Sequence, residues 1–443
     1  MLSSEDNARL TRTGPDTPMG NVFRAYWMPA LLSSELPEPD CPPKRVRLLG
    51  EDFVAFRDTR GRVGIVEPVC PHRGANLFFG RVADCGIRCS YHGWKFDHRG
   101  NCLEIPTLAP EAEERVRPRA AIRALEARES GDVIWAYMGD GPAPELPRFE
   151  FAEVPPEHRF VSKKLQQCNW AQACEGGLDT AHFSYLHAGI RDGERVGLHE
   201  VSGPRSGATG DNEPPSMARF RWLIEDGRPQ FTVLEHDAGL LLCASRQADG
   251  DQLYWRMTQF LMPNHSLAPG NFPDENNLGN TWVPIDDVSC WIFCYCWNPD
   301  RPLTEKETER LSRGWGVFPE MEADYVPLRR RENDYLIDRT LQRESSFTGI
   351  RGISEQDQAI ADSQGLIADR TRELLGQTDL GVVRFRNMVL AAASGVEEGK
   401  TPKGADCPDA YLVRSGDFVA PADAPVSDVV KSRFGTMSGV GVS

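Results

Sequence analysis

The sequence predicts an α+β chain with two successive domains, a small all-β domain and a larger domain whose strands precede its helices. Short apolar, β-branched and aromatic runs separated by turn signals fill residues 45–145 and appear again from 160 to 300. Helical patterns follow between 303 and 395. The chain has 443 residues, of which 40% are hydrophobic, and this is enough to bury two cores.

The N-terminal residues 1–44 are expected to lead into the all-β domain, which we place at residues 45–145. Residues 17–27 are typical of a short helix that packs an aromatic side chain onto this domain. Five prolines between residues 142 and 156 then predict a linker, which we place at residues 146–159.

The second domain is predicted over residues 160–396. Its longest predicted helix begins at Ser354, a good N-cap, and runs to Leu375, with Gly376 as the stop signal. Residues 397–443 are rich in Gly, Pro and Asp, and we expect a tail that is loose or lies against a neighbour. The runs predicted as strands are Arg219–Ile224, Gln230–Leu234, Leu240–Arg246, Leu253–Phe260 and Trp291–Trp297.

The composition argues against several classes of function. A net charge of −15 disfavours nucleic acid and anionic membranes as partners. No apolar run approaches the roughly 18 residues of a membrane span, and the N-terminus has no secretory signal. Twelve scattered cysteines without disulfide-scaffold spacing indicate a reducing compartment, so we expect a cytoplasmic protein. No phosphate-binding glycine motif points to a nucleotide or flavin site in this chain.

The most informative motif pairs Cys70-Pro-His72 with Cys89-Ser-Tyr-His92, so that each segment offers one thiolate and one imidazole. Zinc can use the same four ligands, but zinc fingers group two cysteines and then two histidines. In a Rieske [2Fe–2S] cluster, two histidines replace two cysteines on one of the irons. Mixed segments suit that arrangement, so the motif favours a two-iron cluster on Cys70, His72, Cys89 and His92.

A second set of ligand-type residues lies between Asp179 and His187. Asp179 and His182 are three residues apart and share one face of a helix. His182 and His187 are five apart, about 140° on an ideal helix, so they converge only where the helix widens or breaks. Two imidazoles and a distant carboxylate would form the facial triad of a non-haem Fe(II) oxygenase. Two surface histidines are the simpler alternative, which the cluster motif in the same chain disfavours.

The third ligand of such a triad must come from elsewhere in the chain. Asp357 and Asp362 are the candidates, since both lie in the predicted helix that begins at Ser354. The alternative is that these acids only favour a helix N-terminus through the helix dipole, a role that Glu355 fits well.

Together these segments resemble the catalytic α subunit of the Rieske non-haem iron ring-hydroxylating oxygenases, in particular the phthalate 4,5-dioxygenase group with its O-demethylase relatives. In such families the carboxylate ligand heads a D-x4-[D/E] pattern, which selects Asp357 over Asp362. Relatives of the naphthalene type have Asn where this chain has Glu175, so their substrate rules do not transfer. Besides the cluster loops, the likeness rests on Pro18-Met-Gly20, Tyr26-Trp27, Arg45–Val54, Cys168-Asn-Trp170, Glu175–His182, Leu186-His187, Gln364-Gly365, Asp369–Glu373 and Leu374-Leu-Gly376.

The resemblance implies an N-terminal all-β Rieske domain and a helix-grip (START-like) catalytic domain with an antiparallel sheet and C-terminal helices. It also implies a head-to-tail homotrimer in which Asp179 links His182 to His92 of the partner subunit. Electrons would pass through this link from the cluster to the Fe(II) ion. They would come from NADH through a separate reductase, directly or through a ferredoxin, because this chain shows no nucleotide motif.

The expected activity is the hydroxylation, with O2, of a small aromatic substrate that carries a carboxylate. Dihydroxylation is the favoured form of this reaction. O-demethylation of an aryl methyl ether by the same site is the close alternative, and a non-catalytic Rieske electron carrier is the alternative from another class. A buried carboxylate needs a cationic partner, and Arg246 ends an apolar run in the catalytic domain. The phthalate group has an arginine at what looks like this position, so we predict that Arg246 binds the substrate. Arg205 and Arg256 are weaker candidates. The alternative is that Arg246 only ends its strand at the surface.

Overall fold

The computed structural model describes residues 1–199, 215–269 and 276–435 of the chain. Within these residues an all-β region precedes a larger antiparallel sheet with C-terminal helices, which confirms the predicted α+β class. No helix in this described part combines the length and the apolar character that crossing a bilayer requires.

Two antiparallel sheets, of six and four strands, build the N-terminal region. The six strands are β1 (Trp27–Leu32), β2 (Lys44–Leu48), β3 (Glu51–Arg57), β4 (Val63–Val66), β9 (Ala124–Ser130) and β10 (Val133–Tyr137), and the four are β5 (Arg81–Ala83), β6 (Gly86–Arg88), β7 (Lys95–Phe96) and β8 (Cys102–Glu104). The larger sheet has the order β1-β10-β9-β4-β3-β2. Strand β1 comes from the segment predicted as a lead-in, yet all its side chains are buried and it pairs with β10. The all-β region therefore begins before residue 45.

The second region is built on an eight-stranded antiparallel sheet. Its strands are β11 (Arg159–Gln166), β14 (Gln230–His236), β15 (Gly239–Gln247), β16 (Gln252–Leu261), β17 (His265–Ala268), β18 (Asn277–Asp286), β19 (Ser289–Trp297) and β20 (Gly416–Pro421); a separate hairpin joins β12 (Ala188–Arg191) to β13 (Glu194–Leu198). The order is β11-β19-β18-β17-β16-β15-β14, and β20 pairs with the first half of β16. Strand β20 comes from the segment predicted as a tail. Four of the five predicted strand runs are confirmed, in β14, β15, β16 and β19.

Eleven α-helices occur in the described residues. They are α1 (Ser4–Thr11), α2 (Pro18–Arg24), α3 (Pro110–Val116), α4 (Glu150–Glu153), α5 (Trp170–Leu178), α6 (Pro215–Glu225), α7 (Glu305–Ser312), α8 (Arg339–Glu344), α9 (Ile353–Ser363), α10 (Leu380–Glu397) and α11 (Val426–Phe434). Helix α2 confirms the short helix predicted near residue 18, and the Thr17 side chain caps it.

Two secondary-structure predictions are wrong. Residues 219–224 lie in helix α6, because the buried side chains Arg219, Trp222 and Leu223 recur at helical spacing although the aromatic residues alternate as in a strand. Helix α9 ends at Ser363, and Gly365 follows it at φ +95°, so the helix stops well before Gly376.

Helix α5, which precedes the predicted iron ligands, is held by a buried ion cluster. Glu175 accepts hydrogen bonds from Arg370 at 3.0 Å and from Arg386 at 2.8 Å. Arg386 also binds Glu373, and Arg370 reaches Asn7 of helix α1 at 3.1 Å. Burial alone would raise the pKa of Glu175, but the two guanidinium groups hold it below its usual value. The cluster therefore joins α1, α5 and α10 around one charged carboxylate.

Candidate metal centres and their cavity

The two predicted cluster loops have the same backbone hydrogen bonds. In each loop the cysteine amide donates to the carbonyl five residues later, and the glycine four residues later donates back to the cysteine carbonyl. Gly74 and Gly93 adopt φ values of +72° and +76°, which glycine reaches without strain. The four distances are 2.9 Å for Cys70–Ala75, 3.0 Å for Gly74–Cys70, 2.8 Å for Cys89–Trp94 and 3.0 Å for Gly93–Cys89.

The loops bring the two thiols and the two imidazoles to one end of the all-β region. Cys70 and Cys89 are buried, whereas His72 and His92 are partly exposed. The rings of His72 and His92 have centroids 4.4 Å apart, and the His72 ring stacks on Trp94 at 4.8 Å. His72 Nδ1 is buried and has no hydrogen-bond partner in the described part of the chain, so it has an open lone pair for a metal ion.

This geometry fits two irons better than one zinc ion. A single tetrahedral ion would bring all four ligand atoms close together. Among the described residues, one group of at least three ligand-type side chains has its ligand atoms within 4.8 Å of one another. The four predicted cluster ligands do not belong to that group. Burial raises the pKa of the Cys70 thiol to about 11, so its thiolate requires the positive charge of bound iron.

The group that meets this criterion is His182, His187 and Asp357. Nε2 of His182 lies 3.1 Å from Nε2 of His187. Asp357 Oδ1 lies 3.4 Å from the first nitrogen and 3.2 Å from the second. Three atoms that occupy one face of an octahedron about 2.1 Å from a metal ion lie about 3 Å apart, so the triangle fits a facial triad.

His182 and His187 converge because helix α5 ends before them, so neither lies in a regular α-helix. The helix ends at Leu178, and Asp179 is its C-cap in an extended conformation. Oδ1 of Asp179 accepts a hydrogen bond from the Ala181 amide at 2.7 Å, and a single 3₁₀ turn begins at His182. A break of this kind was one of the two ways in which ligands five residues apart were predicted to meet.

Each histidine has a partner for its second ring nitrogen. Nδ1 of His182 lies 3.5 Å from Oδ2 of Asp179. Nδ1 of His187 lies 2.6 Å from Oε1 of Gln356, and the Gln356 amide donates to the Ile350 carbonyl at 2.7 Å. Such partners fix the tautomer that leaves Nε2 free for a metal and orient the ring. Burial would raise the pKa of Asp179, but the hydrogen bond from His182 lowers it, so the carboxylate stays charged.

A cavity of about 500 Å³ lies beside the triad, between the eight-stranded sheet and helices α7 and α9. Its walls are mostly apolar and include Phe183, Leu223, Trp282 and Ile292. A cavity of this volume suits a small molecule, which a few polar groups in the wall can orient. The charged side chains that line the cavity are Lys164, Asp179, Arg219, Arg256, Glu307, Arg310, Asp357 and Asp417.

Arg256 is the cavity arginine best placed to bind an anion. It is 9% exposed, and its guanidinium lies 4.5 Å from the centre of the Phe183 ring, next to the ligand position His182. One nitrogen donates to the Pro269 carbonyl at 3.3 Å, and Nε is buried without a hydrogen-bond partner among the described residues. An incompletely satisfied buried guanidinium is costly, and a bound carboxylate would relieve that cost.

The structure does not support Arg246 as the substrate-binding residue. Arg246 is 1% exposed and does not line the cavity. Its guanidinium donates to the carbonyls of Asp226 and Thr180, so it has backbone partners already. The weaker candidate Arg256 occupies the cavity instead, and Arg205 lies outside the described residues.

The remaining carboxylate candidate, Asp362, faces away from the triad. It accepts hydrogen bonds from Gln166 at 2.6 Å and from the Tyr335 hydroxyl. Asp357, which the D-x4-[D/E] pattern selected, lies beside both histidines.

Three further residues of the site belong to no recognisable sequence motif. Gln356 stands beside a ligand in the sequence and supports a different ligand in space. Lys164 is buried, lines the cavity and donates to Ser354 of helix α9. Asp417 arrives from the segment predicted as a tail. A polar residue at an inward strand position is the only sequence signal for the last two.

Comparison with known proteins agrees with this architecture. Residues 26–124 match the family Rieske [2Fe-2S] domain, and residues 136–412 match the family "LigXa C-terminal domain like". The chain is 37% identical to the 3-chlorobenzoate-3,4-dioxygenase oxygenase subunit of Comamonas testosteroni, over 98% of this chain and 99% of the relative. It is 39% identical to the phthalate 4,5-dioxygenase oxygenase subunit of Pseudomonas putida, over 91% and 89%.

A likeness in fold extends to solved structures. The structure of dicamba monooxygenase bound to dicamba superposes with a TM-score of 0.55, over 85% of this chain and 99% of that one, at 16% sequence identity. At this identity the likeness concerns the fold alone.

Proposed function

This chain belongs to the Rieske non-haem iron oxygenases as an oxygenase subunit with a [2Fe–2S] cluster and a mononuclear iron, and we propose that it hydroxylates a small aromatic carboxylic acid. We assign the cluster to Cys70, His72, Cys89 and His92. The facial triad of His182, His187 and Asp357 is assigned to the iron.

One observation carries the proposal for the substrate. The triad opens on a mostly apolar cavity in which the buried guanidinium of Arg256 has an unsatisfied nitrogen beside the ring of Phe183. An aromatic ring suits the apolar walls, and a carboxylate suits the guanidinium. Two similar proteins whose names state a benzoate and a phthalate as substrates support the same substrate class.

The residues of the chain prepare the reaction by holding groups in place. When bound, the cluster supplies electrons and the iron activates O2. Gln356 and Asp179 hold the second nitrogens of the two imidazoles, which fixes the rings for coordination. Arg256 would anchor the acid so that the ring lies against the triad, and the apolar walls would exclude water from it.

We also propose that the chain works as a head-to-tail homotrimer. Val69, Phe79 and Tyr91 at the cluster end are 45%, 68% and 54% exposed. A second exposed aromatic pair, Tyr185 and Phe347, lies beside the histidine segment with ring centroids 5.6 Å apart. Two different apolar patches on one chain suit a heterologous interface that closes into a ring. Such a ring would bring the cluster of one subunit to Asp179 of the next.

Complementation between two inactive variants tests whether electrons pass from the cluster of one subunit to the iron of the next. Cys70→Ser would remove the cluster, and Asp357→Ala would remove the iron. Co-expression of the two variants should restore part of the turnover, because a cluster of one subunit then lies beside an iron of the other. Two variants that stay inactive together, in a correctly assembled trimer, would contradict this arrangement.

Electrons are proposed to come from NADH through a separate reductase, directly or through a ferredoxin. Product analysis with a panel of aromatic acids under ¹⁸O2, with such a reductase supplied, tests the function. Labelled hydroxylated acids are the expected products. Formaldehyde release from methoxylated acids alone would identify an O-demethylase, and no oxygenated product from any acid would contradict the proposal.

A further inference from the structure

The C-terminal strand β20 brings a carboxylate into the active-site cavity. Asp417 lies on this strand directly opposite Arg256 of β16 and is 3% exposed. It lines the cavity together with Arg256 and Arg219. The match to the catalytic-domain family ends at residue 412, so this carboxylate comes from a part of the chain outside that match.

Asp417 forms an ion pair with one of the three arginines that line the cavity. Nη1 of Arg219 lies 3.5 Å from Oδ1 and 3.4 Å from Oδ2 of Asp417. The hydroxyl of Tyr254, which is fully buried, donates to Oδ2 at 2.8 Å. Asp417 is thus oriented by a neutral donor and a cation, and it places a negative charge beside Arg219.

Arg256 differs from Arg219 although the two share a cavity wall. No described carboxylate lies within ion-pair distance of Arg256, whose polar contacts are the Pro269 carbonyl and the face of Phe183. Asp417 therefore offsets the charge of Arg219, whereas none of the described carboxylates does the same for Arg256. A buried charge that lacks a counter-charge favours one anion and no more.

We infer that Asp417 determines substrate specificity. It pairs with Arg219 and so makes the cavity select aromatic monocarboxylates over aromatic dicarboxylates. This inference rests on the proposed function, since it concerns how many carboxylates the substrate carries. A second carboxylate near Arg219 would meet the charge of Asp417, and like charges in a buried site oppose binding strongly.

Equilibrium binding to the holoenzyme tests the inference without turnover. Benzoate and phthalate serve as probes with one and two carboxylates, and calorimetry gives both dissociation constants. The wild-type protein should bind benzoate more tightly than phthalate. Asp417→Asn should strengthen phthalate binding relative to benzoate binding by roughly tenfold or more, because it removes the negative charge that the second carboxylate would meet.

Controls separate this effect from a loss of structure. Asp423→Asn changes an exposed acid of the same C-terminal segment and should leave the ratio of the two dissociation constants unchanged. Asp417→Ser makes the same change in charge with a smaller side chain, should the Asn variant not fold. Mere loosening of β20 would weaken both probes together and leave their ratio unchanged.

The outcomes distinguish the inference from the proposed function. An unchanged ratio in folded Asp417 variants, or a wild-type preference for phthalate, would overturn the role of Asp417 alone. A wild-type holoenzyme that binds neither probe at millimolar concentration would contradict the aromatic acid substrate, and the inference would fall with it.

Discussion

Gln356 accepts a hydrogen bond from Nδ1 of His187 at 2.6 Å, and it immediately precedes Asp357 on helix α9. One turn of one helix therefore provides a carboxylate for the proposed iron and the support for a histidine ligand that is far away in the sequence. A small shift of α9 would displace two of the three ligands together. Lys164 of strand β11, bound to Ser354, holds this turn against the sheet.

We predict that Gln356→Leu weakens iron binding. The variant removes the acceptor that fixes the His187 tautomer, and loss of such a partner typically costs about 10–100-fold in metal affinity. Iron content after dialysis against a chelator measures the effect. The visible absorption of the cluster should stay at the wild-type level, and full retention of iron would show that Gln356 does not support the ligand.

Purified protein should contain one [2Fe–2S] cluster and one mononuclear iron, that is, about three irons per chain. Cys70→Ser should abolish the visible absorption of the cluster, whereas Cys85→Ser should preserve it, because Cys85 belongs to a turn rather than to a cluster loop. Iron, zinc and acid-labile sulfide analyses check this. Stoichiometric zinc without sulfide would refute the cluster, and two irons per chain would indicate an electron carrier.

Asp357→Ala should empty the mononuclear site and keep the cluster. Asp362→Ala is the matched control, since Asp362 binds Gln166 and Tyr335 and not the histidines. It should retain its iron even if its melting temperature falls. Metal analysis of the two purified variants decides the assignment, and iron loss that follows Asp362 would reverse it.

Asp179→Asn should retain both metals and lose most turnover. Asn is nearly isosteric, but it lacks the charge that holds His182 and that would bind the imidazole of the partner subunit's His92. Stopped-flow reduction of the cluster, followed by single-turnover product formation, separates cluster reduction from transfer to the iron. Near-normal turnover in the trimer would remove Asp179 from the electron path.

Arg256→Met should raise KM for an acid substrate by about one to two decades, because a charge-assisted hydrogen bond is worth roughly 1.5–3 kcal/mol. The corresponding amide substrate serves as the control, and its KM should change much less. Arg246→Met should instead lower the melting temperature, since the Thr180 carbonyl would lose a buried donor. A selective rise of KM for the acid in the Arg246 variant would restore the original prediction.

The ligands were predictable because metal chemistry restricts residue type and spacing. The mixed Cys-His segments indicate two irons, and the spacing of His182 and His187 requires a break that the chain makes after Leu178. The partners of those ligands were not predictable in the same way. An amide such as that of Gln356 fits many environments, and only the tertiary fold brings it to His187.

The charged residues of the cavity show a second limit of sequence reasoning. Arg246 and Arg256 lie in neighbouring strands that are both rich in apolar residues, and nothing in the sequence shows which of the two enters the cavity. The two arginines differ in their tertiary contacts. Arg246 donates a hydrogen bond to the Thr180 carbonyl, whereas the Arg256 guanidinium lies over the face of the Phe183 ring. In the same way, alternation along residues 219–224 did not reveal helix α6 because packing decided between two periods.

The two metal sites also differ in how their ligands are spread along the chain. Both cluster loops emerge early from the ribosome, and they can close while most of the polypeptide is still untranslated. His187 and Gln356 are 169 residues apart, and Arg219 and Asp417 are 198 apart. The iron site must therefore wait for the translation of α9, and the cavity for that of β20. A nascent chain that stops before residue 417 can acquire its cluster, yet its cavity stays unfinished.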